Sequence, residues 1–217
     1  MKTRARNPLV THTLAAIAVV AALVGCATPA DNKDQCLAAD WRTVGYEDGL
    51  RGAPADRIGS HRVACGKHGV TPDLAAYLDG RERGLQQYCQ PRSGFRVGVN
   101  GNTYADVCAG AAETAFIDAY RQGCRIYDAR AALRTAQSQL RSARQSLVQT
   151  DSAMTEATAE LVSPKVPTER RTALAADLVR LTQQRTALST RIEQLSARTQ
   201  ELASNVQVLE RQSPYTL

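Results

Sequence analysis

Cysteine, histidine and carboxylate are the residue types here that could do chemistry, and their spacing decides how much. His61, Cys65 and His68 recur at i, i+4 and i+7, so a helix would set all three on one face, a ligand-like spacing for zinc. No fourth ligand accompanies them, Gly66 threatens the helix that would align His68, and an exported cysteine goes to a disulfide before a metal. No metal and no cofactor is expected. Enzyme signatures are equally thin, because no serine stands in a nucleophile-elbow context. Asp48, Asp73, Asp79 and Glu82 read as caps, solvated charges or ion-pair partners. The glycines follow aromatics and are not set between a strand and a helix, so no phosphate-cradling loop is present. Catalysis is not expected.

Cys26 has a different chemistry. Lys2, Arg4 and Arg6 form a positive start, followed by an apolar run over residues 14–24. That run is shorter than the roughly 20 residues a spanning helix needs and suits a signal-peptide core. It ends in Leu23-Val24-Gly25-Cys26, which resembles the lipobox of bacterial lipoproteins. The small Gly25 fits a peptidase site, and the Cys26 thiolate takes the lipid. Acyl chains contribute about 0.8 kcal/mol per buried methylene, enough together to hold the chain on a membrane. Residue 27 is Ala, not the Asp that marks inner-membrane retention, so the periplasmic face of the outer membrane is favoured. Removing residues 1–25 leaves 24 basic against 21 acidic residues, a net charge of +3. Half of the whole chain's excess of +6 is therefore a targeting feature, and nucleic acid is not an expected partner.

The elements that position the remaining groups follow from composition. Residues 26–35 are small and polar and read as a lipidated tether. Residues 36–125 hold the other five cysteines, the only Trp and most of the Tyr and Gly. From Ile126 the chain turns to Ala, Leu, Arg, Gln, Thr and Ser, and the boundary is expected inside one continuous helix. In the first region, helices are predicted from Cys36 through Trp41 to Asp48, from Asp56 to Cys65, and after Thr71-Pro72-Asp73, where Thr71 supplies a hydroxyl cap. Asn100-Gly101 is compatible with a hairpin turn, although the flanking alternation is weak. An aromatic followed three residues later by glycine recurs at Tyr46/Gly49, Tyr77/Gly80, Phe95/Gly98 and Tyr120/Gly123. On a helix each unit sets a ring beside bare backbone, which favours close helix packing with the rings in the core. A rival reading makes Trp41, Tyr46, Tyr77 and Phe95 platforms for a cell-wall glycan.

These spaced residues resemble a known family. Asp40-Trp41…Gly45-Tyr46-Glu47-Asp48-Gly49…Gly52, His61…Cys65-Gly66-Lys67-His68-Gly69, Tyr77…Gly80…Gly84-Leu85…Tyr88-Cys89 and Gly94-Phe95…Gly98…Gly101 are similar to the bacterial lipoproteins grouped as domain of unknown function 2799. The resemblance covers residues 36–127 and implies an envelope lipoprotein with a helical tail and no known activity. Cys124 departs from that pattern. Five cysteines admit fifteen arrangements of two bridges. The pairing chosen is Cys36–Cys65 and Cys89–Cys108 with Cys124 odd, the second bridge closing a glycine-rich stretch with little apolar content.

The tail carries the strongest pattern. Ile126, Leu133, Leu140, Leu147, Met154 and Leu161 recur every seven residues, with Ala129, Ala136, Ala143, Thr150 and Ala157 three further on. After Ser163-Pro164-Lys165-Val166-Pro167 a second series runs Leu174, Leu181, Leu188, Leu195, Leu202 and Leu209, with Leu178, Arg185, Ile192, Thr199 and Val206. Sustained heptads mean coiled coil, and the two prolines break the helix between them. Thr168 is expected to cap the second arm, and Arg185 to snorkel or find an acid across the seam. The fold class is therefore all-α: a small disulfide-stapled helical domain, then an antiparallel hairpin over 126–212 turning at 163–167, with 213–217 a tail. The expected role is non-catalytic, the hairpin binding another periplasmic or outer-membrane component. Alanines supply little buried area, so a second copy or another helix is expected along the remaining apolar edge.

Overall fold

The computed structural model describes residues 33–215; Cys26, the signal segment and most of the tether lie outside them. The described residues form seven helices and no strand. None of these helices is long and apolar enough to cross a membrane. In order they are α1 (Lys33–Leu37), α2 (Trp41–Leu50), α3 (Arg57–Gly66), α4 (Leu74–Tyr88), α5 (Pro91–Val99), α6 (Gly110–Leu161) and α7 (Thr168–Gln212).

Several local expectations need correction. The helix predicted from Cys36 to Asp48 is two helices, because Asp40 takes an extended conformation and its carboxylate accepts from the Arg42 amide. The Thr43 hydroxyl also donates to it and, as the largest influence, holds the Asp40 carboxyl below the usual carboxylate range. Helix α1 takes in Lys33, Asp34 and Gln35, so the end of the expected tether is helical. Asp73, not Thr71, caps α4, accepting from the Ala76 amide at 3.0 Å. Asn100-Gly101 turns no hairpin: it follows α5, with Gly101 at φ +72° closing the helix end. Proline at the first position of α5 costs no hydrogen bond, since that amide would be free anyway.

Helices α2 and α4 run parallel, joined by a crossover containing α3; α5 and α6 run parallel, joined by residues 100–109. The parallel sense follows from their backbone contacts. A β-carbon at Gly45 would meet the Tyr77 carbonyl and one at Gly49 the Arg81 carbonyl; likewise Gly94 meets Phe116 and Gly98 meets Tyr120. Each of these added atoms falls within 3.0 Å of that backbone. The four helices thus touch through small residues four apart: Gly45/Gly49, Gly80/Gly84, Gly94/Gly98 and Ala119/Gly123. Such pairs let helix axes approach as closely as backbones allow.

The two pairs are an internal repeat. Gly45, Tyr46, Gly49 and Gly52 recur 49 residues later as Gly94, Phe95, Gly98 and Gly101. Tyr77, Gly84 and Tyr88 recur 39 residues later as Phe116, Gly123 and Tyr127. Gly52 (φ +67°) lies against the Tyr88 ring as Gly101 lies against Tyr127.

Helix α6 passes from the domain into the hairpin unbroken, as the composition shift at Ile126 implied. At about 1.5 Å per residue its 52 residues span roughly 78 Å, and α7 returns beside it. Ala129, Ala136, Ala143 and Thr150 are buried in the seam with Leu174, Leu181, Leu202 and Val206. Cross-arm pairs Arg130–Glu210, Asp151–Arg185 and Glu160–Arg170 run in antiparallel order. Arg185 is therefore exposed and held by Asp151 at 2.8 Å, the second of the two outcomes expected for it. Thr168 is the first helical residue rather than the cap, which is Pro167. The turn is tied by Arg171, whose guanidinium donates to the carbonyls of Leu161, Ser163 and Val166. Beyond α7, Tyr215 stacks on Phe95 with ring centroids 5.0 Å apart.

Candidate functional site

Each repeat unit is closed by a disulfide, Cys36–Cys65 in the first and Cys89–Cys108 in the second, the pairing chosen from the sequence. Each bridge ties the start of a unit to the end of its crossover, over separations of 29 and 19 residues. Loops of that size are worth about 3 kcal/mol each through the restricted unfolded chain. Cys124 carries no bridge among the described residues, and Tyr120, hydrogen-bonded to it and partly buried, has its hydroxyl pushed up from the ordinary phenol range. Because the Cys65 sulfur is committed to Cys36, the His61/Cys65/His68 face does not offer three metal ligands.

Inside the first unit lies a polar centre that the sequence reading missed. Asp48 and His61 are both buried, with His61 Nε2 2.8 Å from Asp48 Oδ2. Tyr77, with no exposed surface, donates its hydroxyl to the same oxygen at 2.9 Å. Since a carboxylate only accepts, the His61 proton in this contact sits on Nε2. Arg51 reaches Asp48 Oδ1 from the surface at 3.4 Å. Burial, then the bond to Asp48, pushes the Tyr77 hydroxyl far above the ordinary phenol range. Trp41 packs edge-on to the imidazole at 6.1 Å. The available signal was Asp48 itself, a charge on the same stretch of α2 as Gly45 and Gly49.

The second unit has an apolar centre in the same place. Val97 stands where Asp48 does, Phe116 replaces Tyr77, and Tyr104 occupies the crossover position of His61, each ring four residues before its cysteine. Tyr104 stacks on Phe116 at 4.7 Å, and its hydroxyl accepts from the Cys108 amide at 2.8 Å.

The four rings considered as glycan platforms do not converge. Trp41 and Tyr77 are buried in one cluster and Phe95 in another, beneath Tyr215. Only Tyr46 keeps an accessible face, at 38% exposure. The three buried rings pack in the core and present no face on which a sugar could stack.

On the hairpin, Leu133, Leu140, Leu147 and Met154 are half-buried beside the alanine seam, and Val148, Val162 and Val179 are more than half exposed. Near the turn, Met154, Thr158, Ala159 and Val162 line an open hollow of about 430 Å3.

What the fold defines is a tandem glycine-packed, disulfide-stapled helical domain extended by a hairpin. The family described as Protein of unknown function (DUF2799) matches residues 40–125, which is this domain almost end to end. No match was found among the curated proteins or the solved structures.

Proposed function

We propose that this chain is a non-catalytic protein of the bacterial cell envelope, held to the outer membrane by a lipid on Cys26, whose hairpin docks another envelope component. The observation that carries the reading is the uncovered apolar edge of the hairpin, where Val148 and Val162 stand 64% and 72% exposed. A seam built on alanine buries little area from α6, so the leucine line beside it gains more from a partner helix, at about 25 cal/mol per Å2 covered. The partner that fits is a helix with its own apolar stripe, laid along α6 near Met154 and Val162. The lipobox-like Leu23-Val24-Gly25-Cys26 supports the anchor.

A photo-crosslinking residue placed at 154 or 162 in living cells tests this. A discrete adduct is expected from both positions, absent from the polar position 193 and lost when Cys26→Ser removes the anchor. Equal labelling from position 193, or no adduct from 154 and 162, defeats the reading.

A further inference from the structure

At the root of the hairpin, α5, Gln87 of α4 and Arg130 of α6 border a half-open cavity of about 630 Å3. Small-molecule sites fall in the range of about 300–1,000 Å3. Its apolar floor is Phe95 and Val99, one turn apart on α5, and Phe95 is fixed from behind by Tyr215. Around that floor stand three guanidinium groups, Arg92 and Arg96 from α5 and Arg130 from α6, and among the described residues no acidic side chain lines the cavity. Arg130 is already engaged, donating from Nε and Nη2 to one Glu210 oxygen. Arg92 and Arg96 have no ion-pair or hydrogen-bond partner among the described residues, so two positive forks remain unanswered at the rim.

The basic pair is not a requirement of the scaffold. In the first repeat unit the same two positions are Thr43 and Glu47, and Glu47 is paired with Arg51. The remaining wall consists of the amides of Gln87, Gln90 and Asn100 and the hydroxyl of Ser93. Gln90 spends one N–H on the Gln86 carbonyl, which leaves its oxygen free to accept. Carboxamides both donate and accept, the complement of a peptide group. Guanidinium forks match carboxylates in a planar, two-pronged geometry. We propose that this cavity binds a short acidic peptide: carboxylates on Arg92 and Arg96, an apolar side chain over Phe95 and Val99, and backbone amides against the carboxamide wall.

The probe is N-acetyl-Leu-Glu, which carries two carboxylates and one apolar side chain, titrated into the full chain and followed by calorimetry. Saturable binding is expected, weakened roughly tenfold or more by either Arg92→Ala or Arg96→Ala, in keeping with loss of one charge-assisted contact. Both side chains are exposed, so thermal melts of the two variants should overlay the parent. The bis-amide of the same peptide should bind at least tenfold more weakly, and inorganic phosphate should not compete at equal concentration. Equal binding of the bis-amide, equal affinity for phosphate, unchanged binding in both variants, or no saturable binding would each overturn the assignment.

Discussion

The first repeat unit buries Asp48, His61 and Tyr77 where the second buries Tyr104 and Phe116 beside a partly buried Val97, yet both close a parallel helix pair on equivalent glycines. Helix dipoles repel when parallel neighbours lie this close, and nothing in either centre removes that cost. What the two units share does: bare backbone at the crossing, and a bridge from the unit's start to its crossover. The difference therefore separates what makes the fold from what fills it. Glycines and disulfides define the geometry, while the centre accepts either a satisfied polar network or a stack of rings.

The largest effect that could break this comparison is at the shared glycines. An added β-carbon at Gly49 would press on the Arg81 carbonyl and one at Gly98 on the Tyr120 carbonyl, both backbone atoms that cannot yield locally. Gly49→Ala and Gly98→Ala should each cost about 3 kcal/mol, the upper end of overpacking. Gly59→Ala, which meets no atom within 4 Å, should instead stabilise by about 0.5–1 kcal/mol through helix propensity. Denaturant unfolding of the three variants measures this. Tolerance of alanine at Gly98 alone would mean the two crossings are not the same device.

A comparable effect sharpens the contrast between the centres. Asp48→Ala strands the His61 and Tyr77 donors without an acceptor, and breaking a buried charged contact costs about 3 kcal/mol or more. Converting the whole centre to apolar groups, by Asp48→Val with His61→Leu and Tyr77→Phe, should recover most of that, because no buried donor or acceptor is then left unpaired. These side chains touch, so the single losses will not add. A triple variant less stable than Asp48→Ala would show the polar centre to be part of the scaffold after all.

How much of this was legible differs between the regions for a physical reason. The hairpin was readable because heptads are periodic: Ile126 to Leu161 and Leu174 to Leu209 announce their own partner, and Pro164 and Pro167 locate the turn. Arg171 tying that turn was not readable, since three carbonyls from a tertiary loop leave no trace in spacing. In the domain, the aromatic-x-x-Gly unit was visible, but its meaning lay one step further back, at Gly45, Gly84 and Gly94. Those residues sit four from the glycines already noticed and complete the contact stripe. The second disulfide could be chosen because it closes a glycine-rich stretch with little apolar content; that each bridge closes one unit shows only once the chain is folded. The Asp48–His61–Tyr77 centre stayed hidden because its members are 13 and 29 residues apart, a distance over which only the crossover brings them together.

The smallest effect concerns pH, and it isolates Tyr77. Its hydroxyl is buried and donates to Asp48, so the folded chain holds the proton far more tightly than the unfolded chain does. A group whose affinity for a proton rises on folding stabilises the protein fully below its unfolded pKa, near 10 for a phenol, and loses that contribution as pH climbs toward the folded value. Stability should thus be flat with respect to Tyr77 through neutral pH and fall above about pH 10, with a limiting slope of about 1.4 kcal/mol per pH unit per tyrosine. Tyr88 and Tyr104 are shifted the same way, chiefly by burial, and add to the fall from the cluster around Phe116. Tyr77→Phe should cost about 1.5–3 kcal/mol at neutral pH for the lost bond to a charged acceptor. It should also unfold less steeply with alkali, because one of the titrating groups is gone. Urea midpoints measured from pH 8 to 11 would read both effects. Parallel alkaline slopes for parent and variant would mean that Tyr77 ionises without opening the first unit, and that its centre, unlike the ring stack of the second, admits water while folded.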